Sequence, residues 1–450
     1  MEPAAHDDPI GDELPDRADV VVVGAGLAGL TAGAVAARSG ARAVVLDAHE
    51  PGGRAAVRRV PLDGLAGDAV FNGGPRALYL GGAGRAVLDR LGVAATGKKP
   101  PTKGSGALVD GRLDVLPTGA GSLLRSGIVS RAAKPRLTAV LGAILTGRVA
   151  PGRVDQSATE WILDAAHGHD DVADAVAALF RVATYTADLD LLSADAAVPH
   201  VVHAIGKGVR YLDGGFQQLV DGLAARGRPA GMTVHGRAPV AALELRPDGA
   251  WTVRRRDGRE LVASAVVVAA GGPAVASALL DRPDLVDRVG PAVTAACLEL
   301  AVAGPVPTRF VLGIDEPLYL SEHAPPAYLA PEGVRIVHVA RYGATSADAD
   351  RTRLGELAEL AGIRDVDVVA RRFLSRMVVQ TGLPSIATGG LAGRPAVAVG
   401  ERPGAFLAGD WVGPVGLLAD AALASGESAG ALAAAHALAA GRATVGAEAR

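Results

Sequence analysis

At 450 residues the chain is too long for one compact core, so two domains are expected; 49% apolar and 21% charged residues describe a globular protein. A net charge of −3 gives no basic surface for nucleic acid and no strong pull toward anionic lipid. The single cysteine, Cys297, leaves no partner for an intrachain disulfide and argues against a thiolate zinc site, in keeping with a reducing, cytoplasmic setting.

Residues 1–17 are acidic and proline-bearing with no apolar h-region, so they read as a disordered tail rather than a signal peptide. The apolar run "ADVVVVGAG" reads as a buried parallel strand, "LAGLTAGAVAARSG" as a helix stopped at Gly40, and "ARAVVLDA" as a second strand. Asp19 to Ala48 is therefore one βαβ unit. From Leu78 to about Tyr211 the pattern is mainly helical, and "LTAVLGAIL" (137–145), among the longest apolar stretches, is far too short to span a bilayer. Asp248-Gly249 and Asp257-Gly258 then separate strand-like runs, which makes Arg254–Arg256 a solvated hairpin face. Short strands recur between Cys297 and Arg341, a helix-like segment follows, and "GAFLAGD" is the last strand. Residues 441–450 read as a second tail.

Gly24-Ala25-Gly26-Leu27-Ala28-Gly29 is a G-x-G-x-x-G run between a strand and a helix. Gly24 permits the tight turn, Gly26 lets backbone approach a pyrophosphate, and Gly29 lets helix pack on sheet. Leu27 and Ala28 begin the helix whose free N–H groups and positive end face that anion. Asp47 ends the second strand roughly twenty residues on, where a carboxylate takes a ribose hydroxyl and repels the 2′-phosphate of NADP. The residues to this point specify a dinucleotide but leave FAD and NAD both open.

The stretch "DAHEPGGRAAV" resembles the FAD enzymes that include phytoene desaturases, flavin amine oxidases and protoporphyrinogen oxidases. Other segments match that superfamily in order: "FNGGPRALYLGGAGRAVLDRLGV", "YLDGGFQQLVDGLAARG", "VHGRAPVAAL" and "FLAGDWVGPVGLLADAALASGESAG". The resemblance leans toward phytoene-desaturase-like members through "RFVLGIDEPLYLSEHAPPAYLAPEGVRIVHVARYG" and "GDW". It implies an α/β fold with an α+β second domain: a Rossmann-type FAD-binding domain of glutathione-reductase-like topology with an inserted substrate domain. The discontinuous cofactor domain would comprise 18–95, 213–297 and 385–440, and the substrate domain 96–212 and 298–384.

For FAD the resemblance implies contacts from Asp47 and Ala48, from Gly53 and Arg54 along the pyrophosphate and ribityl chain, and from Gly73, Gly74, Pro75 and Arg76 near the isoalloxazine. Val240 would meet the adenine through its backbone. Ala55, Ala56 and Val57 stand where relatives often carry a hydroxyl. Gly409 and Asp410 would meet the ribityl hydroxyls, and the helix beginning near Leu417, Leu418 and Ala419 would aim amides at the flavin ring. Its positive end favours reduced flavin by about 0.3–1 kcal/mol.

FAD carries the hydride step, and no catalytic side chain and no metal site stands out. Tyr211 and Trp411 are expected to face substrate, and Lys207 fits that role and an ordinary surface lysine equally well; His200, His203 and His338 read first as structural. The expected reaction moves a hydride from a small apolar, isoprenoid-like or unsaturated molecule to FAD. A flavin amine oxidase is the main redox alternative, with a flavin-dependent isomerase or mutase and a non-catalytic FAD-binding scaffold as others. Basic and apolar residues mix in "RAAKPRLTAVLGAILTGRVAPGR", as in a segment that touches a membrane peripherally, although an ordinary core helix is the preferred account.

Overall fold

The computed structural model describes residues 14–448. Residues 1–13 of the expected N-terminal tail lie outside them, and the rest of that tail leads into the strand Arg17–Val23. The expected C-terminal tail from 441 is instead the last part of a helix, Leu418–Glu448. Its alanine-rich sequence sustains helix well past the point where the expected tail begins.

The first sheet runs in the spatial order Met232–His235, Ala43–Leu46, Arg17–Val23, Glu260–Val268, Trp251–Arg255, Val240–Leu245, with Ala405–Leu407 also pairing with Glu260–Val268. The strands around Arg17–Val23 are parallel, whereas the last three form an antiparallel meander. Alternation distributes the valines: Val20 and Val22 enter the core beneath the helices, Val21 and Val23 the core on the opposite face. Each buried valine contributes roughly 1.5–3 kcal/mol. The arginines of the meander behave as expected, Arg254 pairing across strands with Glu244 and Glu260 at 2.7 Å in solvent.

The helix Leu27–Arg38 packs against Leu418–Glu448 at glycine positions. A Cβ on Gly426 would lie 2.4 Å from the carbonyl oxygen of Ala28, and one on Gly430 2.3 Å from that of Ala32. Only glycine permits this approach.

A second sheet runs Val368–Gln380, Val293–Ala303, Val334–Tyr342, Leu318–Ala324, Phe310–Gly313, Ser105–Val109, Arg112–Val115. The strand Val293–Ala303 belongs wholly to it, so the expected domain boundary between 297 and 298 falls inside one strand. One face of this sheet is sealed by the helix Ala347–Leu360, with Leu354 and Leu357 packed on Leu300, Leu320 and Val339. Much of the helical stretch between 120 and 206 forms its own apolar cluster, which reaches the sheet at Ala107, Val293 and Leu312. Among the described residues no helix is long and apolar enough to cross a membrane.

Candidate functional site

The turn after Arg17–Val23 shows why each glycine of the fingerprint is needed. Gly24 has φ +108°, and a Cβ there would lie 2.8 Å from the carbonyl carbon and oxygen of Ala269. A Cβ on Gly29 would sit 1.8 Å from the Gly24 oxygen. Gly26 differs: a Cβ there meets nothing within 4 Å, so its neighbours do not explain it and open space lies in front of the helix. No side chain caps Leu27–Arg38, leaving its first-turn amides directed at that space.

Asp47 closes the strand Ala43–Leu46 beside this turn. Its Oδ2 accepts the Ala25 amide at 2.6 Å and its Oδ1 the His49 amide at 2.8 Å, which leaves a carboxylate lone pairs for hydroxyl donors. The Ala238 amide donates to the Asp47 carbonyl at 2.7 Å, bringing the segment that leads to Val240 alongside, while Ala48 is exposed.

Gly52 donates to the Ala25 carbonyl at 2.8 Å, joining the Gly-Gly-Arg loop to the fingerprint turn. Gly53 approaches Gly26, and Arg54 reaches Asp410, its Nη2 lying 2.9 Å from Oδ2. Arg54 also donates to the Val379 carbonyl and the Thr381 hydroxyl, each at 3.2 Å. Asp410 is buried, and its Oδ2 also accepts the Thr381 amide at 3.0 Å. Its Oδ1 is buried with no partner. An orphaned buried acceptor costs on the order of 1–3 kcal/mol, more when charged, and a polyol hydroxyl is a donor that would relieve it. The open Gly26 space, the amides of the helix and the unpaired Asp410 oxygen together fit a dinucleotide with a polyol arm.

Beyond Asp410 the chain passes Gly409–Gly416 and turns into Leu418–Glu448. Leu418 has φ +54°, a left-handed conformation that costs a non-glycine residue about 1–2 kcal/mol and is held by the surrounding packing. Leu417 is buried against Ala194 and Leu383. Ala419 is partly buried against the core of the first sheet. Asp420 accepts the Gly84 amide at 2.8 Å and is buried; desolvation pushes its carboxyl up to about 6 despite that hydrogen bond.

The Gly73–Gly74 loop is gripped from the second sheet. Glu299, fully buried, accepts the Gly74 amide at 3.0 Å. Glu299 also lies 3.3 Å from His338 Nε2 and 3.5 Å from Arg372 Nη1. Register explains this arrangement: Ser321 pairs with His338, His338 with Glu299, and Glu299 with Arg372, a polar row across four strands. Burial alone would raise the Glu299 carboxyl, but His338, the Gly74 amide and Arg372 outweigh it and hold it below the ordinary range. Pro75 is buried. Half-buried Arg76 donates to the carbonyls of Asn72 (2.8 Å) and Gly73 (3.3 Å), and burial, with the charge of Arg54 adding, lowers its pKa to about 10.

Next to that row, residues scattered through the sequence converge. Tyr185 stands edge-on to Tyr319 and Tyr342 with ring centroids 6.4 and 6.0 Å away, and Tyr319 and Tyr342 are 6.3 Å apart. They share a buried cluster with Cys297, bordered by Met377 and Leu418. Tyr211 joins through its hydroxyl, 3.5 Å from that of Tyr319, and stacks on His323 at 3.7 Å. Four of the chain's six tyrosines therefore meet here, so an aromatic content of 3% understates what the site holds. Burial raises the hydroxyl pKa of all four, which keeps them protonated. Trp411 lies elsewhere: it is buried in the core on the far face of the first sheet, with Val268 and Leu407, rather than among these rings. His200 donates to or accepts nothing from the cluster; it is buried against the Tyr79 ring at 4.4 Å, with a nitrogen 3.1 Å from the Ala183 carbonyl.

The residues missed from sequence are Glu299, Arg372, Tyr185, Tyr319, Tyr342 and Asp420, while His338, expected to be structural, joins the polar row. A period-two reading of the strands could have placed Cys297 and Glu299 on one face, but nothing local marks that face as the functional one. Among the described residues, no group of three His, Cys, Asp or Glu is placed to hold a metal ion. A surface hollow of about 470 Å³, walled by Arg38, Asp89, Arg90 and Arg226, shares no residue with this site.

The fold is shared with solved structures at low identity. An oxidoreductase from Methanosarcina mazei superimposes with a TM-score of 0.70 at 17% identity, covering 91% of this chain and 99% of that one. Cyclohexylamine oxidase from Brevibacterium oxydans gives 0.66 at 17% over 94% and 99%, and a putrescine oxidase bound to putrescine 0.62 at 16% over 93% and 99%. No curated protein matches the sequence. The family model for flavin-containing amine oxidoreductases matches residues 27–433. The fingerprint turn, the Gly-Gly-Arg loop and the helix after Asp410 all fall within or directly against that match, and the chain belongs to the flavin-containing amine oxidoreductase family.

Proposed function

We propose that this FAD-dependent oxidoreductase oxidises a small, largely apolar molecule, isoprenoid-like or otherwise unsaturated, held against the tyrosine cluster. Gly24, Gly26, Gly29 and the amides of Leu27 and Ala28 take the pyrophosphate; Asp47, with Ala48 and the Val240 segment beside it, takes the adenosine end. Asp410 takes the ribityl hydroxyls, with Gly53, Arg54 and Gly409 around it, while Gly73–Arg76 and Leu417–Ala419 flank the ring. When bound, FAD accepts a hydride from a substrate C–H bond and passes the electrons to an acceptor.

The observation that carries this reading is the joint position of Tyr185, Tyr319 and Tyr342, with Cys297 and Met377 around them and Leu418 at the border. These groups exclude water and present protonated hydroxyls, and Tyr211 contributes one more. The buried carboxylate of Glu299 already has His338 at 3.3 Å and the positive charge of Arg372 at 3.5 Å, which offsets its pull on an ammonium ion. That favours a substrate neutral at the reacting carbon.

Amine oxidation is the second reading, supported by the tyrosine rings, whose faces attract cations or a neutral amine. Anaerobic titration of the holoprotein with panels of small apolar alkenes and of primary amines separates the two. Bleaching of the flavin band near about 450 nm by alkenes alone supports the proposal, and bleaching by amines alone replaces it. Turnover only after pre-reduction, without net electron transfer, points to an isomerase; no accelerated reduction by either panel points to a scaffold. Exposed Leu124 and Leu145 lie on a segment that also carries Arg125, Arg131 and Arg148, and peripheral contact with an anionic bilayer is proposed for it. Failure to co-sediment with anionic vesicles would remove that part.

A further inference from the structure

Arg394 follows a tight turn between the second sheet and the last strand, and its guanidinium lies beneath the loop 410–416. It is 6% exposed. Nη1 donates to the carbonyl of Gly416 at 2.9 Å, two residues before the closing helix begins. Nε and Nη2 are buried with no partner. On the same loop Asp410 Oδ1 is also buried and unpaired, so two opposite charges share this loop with polar atoms left unsatisfied. Asp195, the other nearby carboxylate, is already occupied by the Ser193 hydroxyl at 2.5 Å and the Leu391 amide at 3.3 Å. His200 also faces Arg394; burial, with that charge adding, lowers it to about 4 and leaves it neutral.

A buried guanidinium with five donors and one bond is a poor structural choice unless its charge has a use. The positive end of the helix Leu418–Glu448 acts in the same place with the same sign. We propose that Arg394 is a positioning residue for the cofactor, fixing the Gly416 carbonyl and placing a permanent buried positive charge behind the closing helix that makes bound FAD easier to reduce. This rests on the reading that the helix faces the flavin. Asp410 opposes the effect with its own charge, and Arg54, paired to Asp410, offsets that opposition at the other oxygen. Asp195 and Asp410 are the carboxylates whose charge acts on Arg394, with Asp420 a third in the first turn of the helix, and the guanidinium is the buried charge that offsets them there.

The test is the two-electron midpoint potential of the purified holoprotein, measured against a reference dye, for wild type, Arg394→Met, Arg394→Gln and Arg394→Lys. Arg394→Gln retains a donor for Gly416 without the charge, and Arg394→Lys retains the charge in a different shape. Both neutral variants are expected to shift the oxidised-to-reduced ratio at fixed potential at least tenfold toward oxidised FAD, about 30 mV for two electrons, with Lys restoring most of it. A potential within about 5 mV of wild type in a flavin-loaded neutral variant overturns the proposal. So does a folded neutral variant that cannot load FAD, because the residue would then act on retention. FAD retention by Asp410→Ala, measured on parallel preparations, reports separately on the placement of the loop: unchanged affinity there sinks the placement, whatever the potentials show.

Discussion

Replacing Asp420 by Asn should stabilise the protein, and by an amount that grows with pH. The carboxyl is 4% exposed and desolvation raises it from 3.8 to about 6, the Gly84 amide opposing the rise. The folded chain therefore holds this proton more tightly than the unfolded chain does. The penalty for burying the carboxylate is nearly absent below pH 3.8, builds between 3.8 and 6, and is constant above. With 1.36 kcal/mol per pKa unit, it amounts to about 1 kcal/mol at pH 4.5 and about 3 kcal/mol at pH 8. Asp420 also sits in the first turn of its helix, where the positive end favours a carboxylate by about 0.3–1 kcal/mol; burial is the larger effect. Asn keeps an oxygen for the Gly84 amide and removes the charge. Urea unfolding of wild-type and Asp420→Asn holoprotein from pH 4.5 to 8 should show the gap widening toward 3 kcal/mol. A gap that stays flat with pH, or an Asn variant less stable at pH 8, refutes the reasoning.

Gly26→Val should abolish FAD binding while leaving the fold intact, since the new side chain meets no protein atom near its Cβ and fills only the space assigned to pyrophosphate; retention of full yellow colour by a folded variant would sink that assignment. Asp410→Ala should weaken FAD at least tenfold, read by equilibrium dialysis, about 1.4 kcal/mol for the lost acceptor. Glu299→Gln removes the carboxylate that faces half-buried Arg372 and buried His338, so the urea midpoint should fall, with a loss of about 1–3 kcal/mol. An unchanged midpoint would show that the row across the sheet is electrostatically idle.

The parts legible in the sequence share one property: the chemistry is met within a few consecutive residues. A pyrophosphate turn needs glycines at fixed spacing, and Gly24 and Gly29 are now seen to be forced by neighbours at 2.8 and 1.8 Å. The Arg54–Asp410 pair was half visible, each member in a recognisable loop, but not their contact across the molecule. Glu299 and Gly74 lie 225 residues apart and meet only because the second sheet packs against the Gly73–Gly74 loop, which no local pattern encodes. The same holds for Tyr185, Tyr319 and Tyr342, each unremarkable in its own element. Trp411 shows the opposite hazard, since adjacency to Asp410 in sequence suggested a pocket wall, but successive residues after a strand point to different sides.

The glycine contacts between Leu27–Arg38 and Leu418–Glu448 also have a consequence for biosynthesis. Gly426 and Gly430 seat on Ala28 and Ala32, so the helix that carries the fingerprint lacks this partner until residues about 400 positions later have been made. At about 5–20 residues per second, the roughly 400 intervening residues leave an apolar alanine face waiting on the order of 20–80 s. During that interval the ribosome-bound chain can build the second sheet but cannot complete the helix packing behind the fingerprint turn. Completion of the packing behind the fingerprint turn therefore waits on synthesis of the helix Leu418–Glu448.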